Sequence, residues 1–211
     1  MKITNLIASW FNKKPTEKPN TQVANKYLIA GLGNVGAEYE GTRHNVGFMV
    51  VDALAKTNDA KWTLERHAYR TEVRCKGRTL VLIKPTTYMN LSGKAVRYWL
   101  QAEHIDQANL LVVLDDIALE VGALRMKKQG SDGGHNGLTD IDQALGNNNY
   151  CRLRVGVGHN FSRGQQIDYV LGQFSTEEQA ILQPRIDTAT EMVKSFATIG
   201  ADRTMNLFNG K

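Results

Sequence analysis

Two short, wholly apolar runs restrict the fold of this chain more than any other feature of its sequence. The first, YLIA at residues 27–30, ends at a glycine, and the second, LLVVL at residues 110–114, ends at Asp115 and Asp116. Apolar runs of this length, bounded by glycine or charged residues, are typical of buried strands. Segments with helical spacing alternate with further strand-like segments, so we expect an α/β domain with a mixed sheet covered by helices.

The other elements follow from hydrophobic spacing and turn residues. Residues 76–78 (KGR) predict a hairpin turn, Pro85 ends the strand after it, and Ser92 is the predicted N-cap of a helix. The predicted strands span residues 68–75, 79–83, 123–128 and 152–157. Three predicted helices span residues 46–56, residues 92–101 and residues 176 to the C-terminus. A further helix is predicted after the glycine-rich residues 130–134 and ends at residue 145.

Length, charge and cysteine content narrow the class of protein. A chain of 211 residues can form one domain with a real core, and its net charge of +5 favours anionic partners such as nucleic acid. No apolar run approaches the ~20 residues that a membrane-spanning helix needs. Cys75 and Cys151 lie far apart in strand-like segments, which predicts free thiols in a reducing cytosol, with one disulfide as the alternative. We therefore expect a cytoplasmic protein.

The N-terminal 25 residues differ from the rest of the chain. Within residues 1–11 the apolar side chains fall on one face of a helix, and a polar, proline-containing linker follows at residues 13–20. This pattern fits an interfacial or partner-binding helix, or a tail that packs on its own domain or stays mobile. A signal peptide is not expected, because the apolar stretch is short and interrupted. The expected division is an extension at residues 1–25 and one domain at residues 26–211.

Residues 31–36 (GLGNVG) match the G-x-G-x-x-G pattern of dinucleotide-binding proteins. In those proteins the glycine loop opens directly into a helix whose N-terminus holds the pyrophosphate. Here a polar loop continues to residue 45, and the nearest acidic candidate for a ribose contact, Asp52, lies inside a helical pattern. A dinucleotide-dependent oxidoreductase is therefore the weaker hypothesis.

Three further segments contain side chains suited to catalysis. His44, in TRHN just before a helix, can act as a general base near neutral pH, although most isolated histidines are structural. In residues 84–93 (KPTTYMNLSG), the amide of Asn90 can hold a carbonyl or a base edge and Tyr88 can stack on a base; the alternative is a tight turn with a core tyrosine. Asp115 follows a predicted central strand, where open α/β sheets form ligand crevices.

A glycine-rich loop and nearby basic residues indicate an anion-binding site. Residues 130–137 (GSDGGHNG) precede a helix and can bring backbone N–H donors close to an anion. Alternation places Arg152 and Arg154 on one face of a strand, and Lys127 with Arg154 can grip a phosphate; the alternative is a pair of solvated strand edges. No G-x-S-x-G motif, zinc-ligand spacing or phosphate-binding P-loop occurs in the sequence.

Four segments, taken together and in order, resemble the bacterial-type peptidyl-tRNA hydrolase family. They are GLGNVGAEYEGTRHNVG, KPTTYMNLSGKAV, LLVVLDDIALEVGALRMKKQGSDGGHNGL and LGNNNYCRLRVGVGH. The resemblance extends from residue 26 to the C-terminus. It implies a single domain with a mixed, twisted β-sheet flanked by helices on both faces, and hydrolysis of the ester that joins a peptide to the ribose at the end of tRNA. It also implies no metal and no cofactor. A monomer without a stable protein partner is expected.

The resemblance assigns catalytic roles to individual residues. His44 is the expected general base on water, and Asp115 is expected to hold its imidazole in the useful tautomer. Asn34 is expected to distinguish a peptidyl group from a free aminoacyl group, whose amino group is charged. Asn90 and Asn136 are expected to position the substrate carbonyl and the water and to stabilise developing negative charge; which of them faces the oxyanion is left open.

The resemblance also implies contacts with the tRNA and the peptide. Tyr39 and Tyr88, with Met89 beside them, are expected to line the path of the tRNA end or of the peptide. Lys127 and Arg154 match the family's basic pair for the 5′-phosphate of tRNA. Arg152 is a further candidate for the phosphate contact.

The sequence departs from the family pattern near Asn34, and one alternative function is left open. Val35 stands where the family usually has proline, and because valine does not fix φ, we expect a less rigid loop around Asn34 and a modest effect on rate. The alternative function is a relative that binds RNA without catalysis, which the complete catalytic set disfavours.

Overall fold

The computed structural model describes residues 25–211. The expected N-terminal helix and linker lie outside the described residues. The strands are β1 (Lys26–Gly31), β2 (Thr63–Glu65), β3 (Ala68–Cys75), β4 (Arg78–Pro85), β5 (Leu110–Asp116), β6 (Leu124–Lys127) and β7 (Cys151–Gly156). The helices are α1 (Val46–Lys56), α2 (Ser92–Ala102), α3 (Asn136–Leu145), α4 (Gln166–Leu171), α5 (Thr176–Ile199) and α6 (Ala201–Phe208).

These strands form one sheet in the order β2-β3-β4-β1-β5-β7-β6. Strands β4, β1, β5 and β7 run parallel, whereas β2, β3 and β6 pair antiparallel with their neighbours. Leu28 of β1 is in register with Val81 of β4 on one side and with Leu110 of β5 on the other. Because parallel strands end on the same side, the segments that follow β1, β4 and β5 meet at one edge of the sheet.

The core lies on both faces of this sheet. Successive side chains of a strand point to opposite faces, so β1 and β5 contribute to both layers. Ile29 and Leu111 pack in the layer that contains α1 and α5, whereas Leu28 and Val112 pack in the layer that contains α2 and α3. All four side chains are fully buried, and each contributes about 1.5–3 kcal/mol through removal from water. The predicted mixed sheet with helices on both faces is confirmed.

Most predicted boundaries agree with the observed ones to within about two residues. The predicted N-cap at Ser92 is wrong. Ser92 is the first residue of α2, Leu91 occupies the N-cap position, and the Ser92 hydroxyl donates to the carbonyl of Met89 at 2.8 Å. The helical pattern from residue 176 is also not continuous, because Gly200 adopts φ 85° and separates α5 from α6.

Two observed elements are missing from the sequence prediction. The three residues of β2 are all exposed, so this strand lacks the alternation of buried and exposed residues that marks a half-buried strand. Helix α4 has six residues, which is too short for a periodic apolar pattern to be recognised.

Two further features of the described residues concern the cysteines and the longer helices. Cys75 and Cys151 are free thiols, and burial raises the pKa of Cys151 to about 11, so this thiol stays protonated. Within residues 25–211, none of the helices combines the length and the apolar character needed to cross a membrane.

Candidate active site

A cavity of about 470 Å³ opens at the carboxyl ends of the parallel strands. Its walls come from the loops after β1 and β4, the end of β5, the glycine-rich loop before α3, strands β6 and β7, and helix α4. The predicted site residues in this lining are Asn34, His44, Tyr88, Met89, Asn90, Asp115, Lys127, Asn136, Arg152 and Arg154. Tyr39 lies in a short 3-10 turn, Ala37–Tyr39, outside the lining, and its place on the substrate path stays a prediction.

His44 is held against Asp115 at the centre of this cavity. It lies in the 3-10 turn Arg43–Asn45, immediately before α1, and its Nδ1 is 2.8 Å from Oδ1 of Asp115. Asp115 lies in β5 and is only 4% exposed. Because a carboxylate accepts hydrogen bonds, Nδ1 of His44 carries the proton, and Nε2 keeps a lone pair. Nε2 forms no hydrogen bond within residues 25–211, so it is free to accept a proton from a molecule in the cavity.

A second histidine, His135, contacts the same carboxylate oxygen and was missed in the sequence analysis. Its Nε2 is 3.0 Å from Oδ1 of Asp115, and its Nδ1 accepts the backbone N–H of Gly137 at 3.1 Å. An Nδ1 that accepts a hydrogen bond cannot hold the proton, so the proton of neutral His135 is on Nε2 and is donated to Asp115. The available signal was the position of His135 as the residue before α3, directly beside Asn136.

These contacts determine the charge of Asp115. Burial opposes its ionisation, but the electrostatic interactions and hydrogen bonds with His135 and His44 outweigh burial and hold the pKa of Asp115 well below its usual range. Asp115 is therefore a carboxylate throughout the neutral pH range. A buried negative charge with two N–H donors both orients an imidazole and stabilises its protonated form.

Among the described residues, His44, Asp115 and His135 form the one group whose side chains are close enough to ligate a metal ion together. Their contacts instead fit a proton network. A metal ligand nitrogen must be unprotonated, yet the bond from Gly137 to Nδ1 of His135 places the proton on Nε2, the atom nearest Asp115. The three groups already satisfy one another as donors and acceptor, so this set is suited to general acid–base chemistry.

The Nδ2 group of the Asn34 amide is available to the cavity, whereas its Oδ1 is hydrogen-bonded to the protein. Its Oδ1 accepts the backbone N–H of Met89 at 2.9 Å, which links the loop after β1 to the loop after β4. In the part of the chain that the structure describes, its Nδ2 makes no hydrogen bond. Two N–H donors are therefore available to a bound molecule, as expected for a residue that contacts a substrate carbonyl.

The other predicted side chains of the β4–α2 loop and of α3 frame the opening. Asn90 and Asn136 are exposed and line the cavity, and neither amide is bonded to another group in the described part of the chain. Tyr88 is 70% exposed at the rim, whereas Met89 is 5% exposed and forms part of the wall. The structure thus brings the predicted catalytic residues Asn34, His44, Asn90, Asp115 and Asn136 to one cavity.

The two predicted phosphate ligands lie in the wall formed by β6 and β7. Lys127 is exposed and forms no ion pair within residues 25–211, whereas Arg154 pairs through its Nε with the carboxylate of Asp116. That pairing leaves the terminal nitrogens of Arg154 available to another acceptor. Asp116 was not assigned a role from the sequence, although it directly follows Asp115.

Arg152 is placed differently from both sequence interpretations. It is only 1% exposed, so it is neither a solvated strand-edge residue nor free to contact a phosphate. Its Nη1 donates to the carbonyls of Gly130 and Ser131, each at 3.0 Å, and its guanidinium lies 4.6 Å from the ring centre of Tyr150. Arg152 therefore anchors the start of the glycine-rich loop.

Comparison with known proteins identifies the family. The family model described as peptidyl-tRNA hydrolase matches residues 28–211. The chain is 58% identical over 186 residues to the peptidyl-tRNA hydrolase of Cytophaga hutchinsonii, a match that covers 88% of this chain and 99% of that protein. It is 54% identical to the peptidyl-tRNA hydrolase of Bacteroides fragilis, over 88% of this chain and 100% of that protein. This chain belongs to the peptidyl-tRNA hydrolase family.

Solved structures agree with membership of the peptidyl-tRNA hydrolase family. The crystal structure of the peptidyl-tRNA hydrolase from Acinetobacter baumannii superposes with a TM-score of 0.83 at 35% sequence identity, covering 89% of this chain and 96% of that one. The three relatives named here are all peptidyl-tRNA hydrolases, so the alternative of a non-catalytic RNA-binding homologue is not favoured.

The fold of this peptidyl-tRNA hydrolase family member also argues against a dinucleotide site at residues 31–36. The glycine loop does not open into a helix: two short 3-10 turns follow it, and α1 begins only at Val46. The first turn of α1 instead packs directly on the sheet, because a Cβ at Gly47 would lie 2.4 Å from both the backbone nitrogen of Leu32 and the carbonyl oxygen of Val113.

The second contact of Asp115 leads to a testable expectation. We expect His135→Ala to lower kcat about 10- to 100-fold, because a hydrogen bond to a charged group contributes about 1.5–3 kcal/mol. His135→Gln, which keeps an N–H donor near the position of Nε2, should retain more activity than His135→Ala. His159, which is exposed and away from the cavity lining, offers a matched control in His159→Ala. Equal steady-state rates for His135→Ala and His159→Ala would contradict a role for His135.

Proposed function

We propose that this protein hydrolyses the ester that joins a peptide, or an N-blocked amino acid, to the terminal ribose of tRNA. The observation that supports this most strongly is the His44–Asp115 pair, in which Nδ1 is held by a buried carboxylate and Nε2 is open to the cavity. This arrangement suits the removal of a proton from water at neutral pH.

In the proposed reaction, Nε2 of His44 takes a proton from water while the water oxygen attacks the ester carbonyl. The imidazolium that forms is stabilised by Asp115. Collapse of the tetrahedral intermediate breaks the bond between the carbonyl carbon and the ribose oxygen, and His44 returns the proton to that oxygen. One water is consumed, and the products are a tRNA with a free hydroxyl and a peptide carboxylic acid, which releases its proton to solvent and leaves as the carboxylate. General base catalysis of this kind contributes about 100- to 10,000-fold in rate.

The amides around the cavity are suited to the charge that develops during this reaction. Asn90 and Asn136 have exposed amide groups in the lining, and each can donate to the carbonyl oxygen as it becomes negative. A donor that binds the negative oxygen more strongly than the neutral carbonyl stabilises the transition state more than the ester, which is the condition for faster catalysis.

Selection of a blocked substrate is assigned to Asn34. The free Nδ2 of Asn34 is an N–H donor, so it can bind the carbonyl oxygen of the substrate's first peptide or acyl bond. A free aminoacyl group has no such carbonyl and presents a charged amino group instead. That group gains nothing from an N–H donor and loses hydration in the cavity, which favours the blocked substrate.

Lys127 and Arg154 are proposed to bind the 5′-phosphate of tRNA, with Tyr88 and Tyr39 along the path of the tRNA end or the peptide. We expect Lys127→Ala combined with Arg154→Ala to weaken tRNA binding and to lower the slope of log K against log salt by about one to two. The single variant Lys128→Ala is a matched control, since Lys128 is adjacent but pairs with Asp202. An unchanged salt slope in the double variant, measured by titration with deacylated tRNA, would remove both residues from the binding site.

The direct test of the proposed activity is release of N-acetyl amino acid from N-acetyl-aminoacyl-tRNA, with the unblocked aminoacyl-tRNA as control. The expected result is cleavage of the blocked substrate and little cleavage of the free one. If folded protein cleaves neither, RNA binding without catalysis becomes the leading interpretation. We further propose that the protein acts as a cytoplasmic monomer, with an N-terminal extension at residues 1–25 and the hydrolase domain at residues 26–211.

A further inference from the structure

A single buried side chain, that of Asn45, holds the backbone on both sides of Asn34. We propose that Asn45 is a positioning residue that directs the Asn34 amide into the cavity and thereby sets the discrimination between blocked and free substrates. This inference rests on the proposed role of Asn34 and extends it to a residue that does not line the cavity.

The contact consists of two hydrogen bonds made by one amide. Oδ1 of Asn45 accepts the backbone N–H of Asn34 at 2.8 Å, and Nδ2 of Asn45 donates to the backbone carbonyl of Asn34 at 2.9 Å. Asn45 is 5% exposed, so water does not compete for these bonds. Two directly opposed residues of antiparallel strands form the same pair of N–H and C=O hydrogen bonds. In this contact, the amide of a side chain takes the place of one of the two backbones.

Bonds to both the N–H and the C=O of one residue restrict the peptide planes on either side of its Cα. They therefore restrict φ and ψ of Asn34, and these angles fix the direction of its Cβ. A third bond, from the backbone N–H of Met89 to Oδ1 of Asn34, fixes the far end of the side chain. With three anchors in place, the direction of the remaining Nδ2 donors is determined.

The loop around Asn34 has little rigidity of its own. Val35 has no ring to fix its φ and is 37% exposed, and Gly36 adopts φ 131°, a conformation that only glycine adopts readily. The tertiary contact with Asn45 therefore supplies the restraint that the local sequence lacks. The fit at this contact is close, since a Cβ at Gly33 would lie 3.0 Å from Oδ1 of Asn45.

Asn45 also links Asn34 to the catalytic histidine. It directly follows His44 in the turn Arg43–Asn45, and its backbone N–H donates to the carbonyl of Thr42 at 3.0 Å. The position of Asn34 relative to His44 is thus set through one short turn. Loss of the Asn45 amide should misplace Asn34, while the bond between His44 and Asp115 should stay in place, because the Asn45 side chain forms no hydrogen bond with either residue.

Two substitutions separate this role from simple packing. Asn45→Ala removes both bonds, and Asn45→Asp keeps the shape and one acceptor but sets a carboxylate oxygen against the Asn34 carbonyl. We expect each to lower kcat/KM for N-acetyl-aminoacyl-tRNA by up to about 100-fold, the effect of misplacing a substrate-binding group by about 1 Å. We also expect the ratio of kcat/KM for blocked over free substrate to fall by at least about tenfold, the equivalent of one hydrogen bond of about 1.4 kcal/mol. The pH dependence of kcat should not change in Asn45→Ala, which introduces no charge near His44.

Asn209 provides a matched control for the loss of two hydrogen bonds. Its amide makes the same pair of bonds with the backbone of Met126, accepting the N–H at 2.9 Å and donating to the carbonyl at 3.0 Å, at the edge of the sheet. Asn209→Ala should lower the melting temperature in the same way as Asn45→Ala but leave the ratio of blocked over free substrate unchanged. Both substrates contain the same tRNA, so any change in tRNA binding cancels in this ratio.

The deciding experiment is a double-mutant cycle on that ratio with Asn34→Ala, Asn45→Ala and the double variant. If Asn45 acts through Asn34, the double variant is no less selective than Asn34→Ala alone. If Asn34→Ala loses selectivity but Asn45→Ala and Asn45→Asp keep it, the inference about Asn45 is wrong and the role of Asn34 stands. If Asn34→Ala keeps its selectivity, the role of Asn34 is wrong, and the inference falls with it. Additive losses would show that Asn45 acts by another route.

Discussion

His44→Ala is expected to lower the turnover of N-acetyl-aminoacyl-tRNA by at least about 100-fold, the lower end of the contribution of a general base. The remaining donor to Asp115, Nε2 of His135, stays in place at 3.0 Å, so the buried carboxylate is not left without a partner. The loss of stability should therefore be small, and tRNA binding, for which we propose the wall formed by β6 and β7, should be retained.

Three measurements on His44→Ala separate these effects: single-turnover hydrolysis, thermal melting and titration with deacylated tRNA. A variant that melts near the wild-type temperature and binds tRNA but does not cleave the ester would agree with the proposal. Activity close to that of wild type would mean that another group removes the proton from water. His135 is a poor substitute, because its Nδ1 is bonded to Gly137 and its Nε2 to Asp115.

Asp115→Asn is expected to lower kcat about 1,000- to 10,000-fold, the effect of replacing the aspartate of a catalytic triad by asparagine. The amide has nearly the same shape, and its oxygen can still accept hydrogen bonds from His44 and His135. What it lacks is the negative charge that stabilises the imidazolium and selects the tautomer with the proton on Nδ1. A decrease of less than about tenfold would contradict this account, since it would correspond to no more than about 1.4 kcal/mol.

The difference in stability between wild type and Asp115→Asn should depend on pH. The pKa of Asp115 is lowered in the folded protein, so its ionised form stabilises the fold above the ordinary carboxyl pKa of about 3.9. This contribution is lost as pH falls through the lower, folded pKa. The difference in melting temperature between wild type and Asp115→Asn should therefore be largest near neutral pH and shrink in strong acid. A difference that grows in acid would contradict the assigned charge.

The sequence predicts much of this fold because its central strands are apolar runs that end abruptly in polar residues or glycine. The runs at residues 27–30 and 110–114 form most of β1 and β5; Asn34 follows β1, and Asp115 lies near the end of β5. The exposed strand β2 and the short helix α4 lack such a signal, although one face of α4 forms a wall of the cavity. Ser92 shows a further limit, since a serine can begin a helix either as its N-cap or as its first residue.

The parts of the site that the sequence did not predict depend on where side chains point in three dimensions. His135 was one more polar residue in a glycine-rich loop until the fold placed its ring beside Asp115. Arg152 donates hydrogen bonds to the carbonyls of Gly130 and Ser131. The spacing of these residues in the sequence does not predict such bonds. Asn45 is adjacent to His44, yet the role that we propose for it follows only from two distances to the backbone of Asn34.

The central claim is that His44 activates a water molecule that attacks the ester carbonyl directly. The most direct test is single-turnover hydrolysis of N-acetyl-aminoacyl-tRNA in oxygen-18-labelled water, with mass analysis of both products. The account predicts one labelled oxygen in the carboxylate of the released N-acetyl amino acid, none in the tRNA, and no labelled product in the same time with His44→Ala. Label in the ribose hydroxyl would contradict direct attack on the carbonyl. So would an unlabelled acid in the first turnover, which is the result expected when an enzyme carboxylate forms a covalent intermediate.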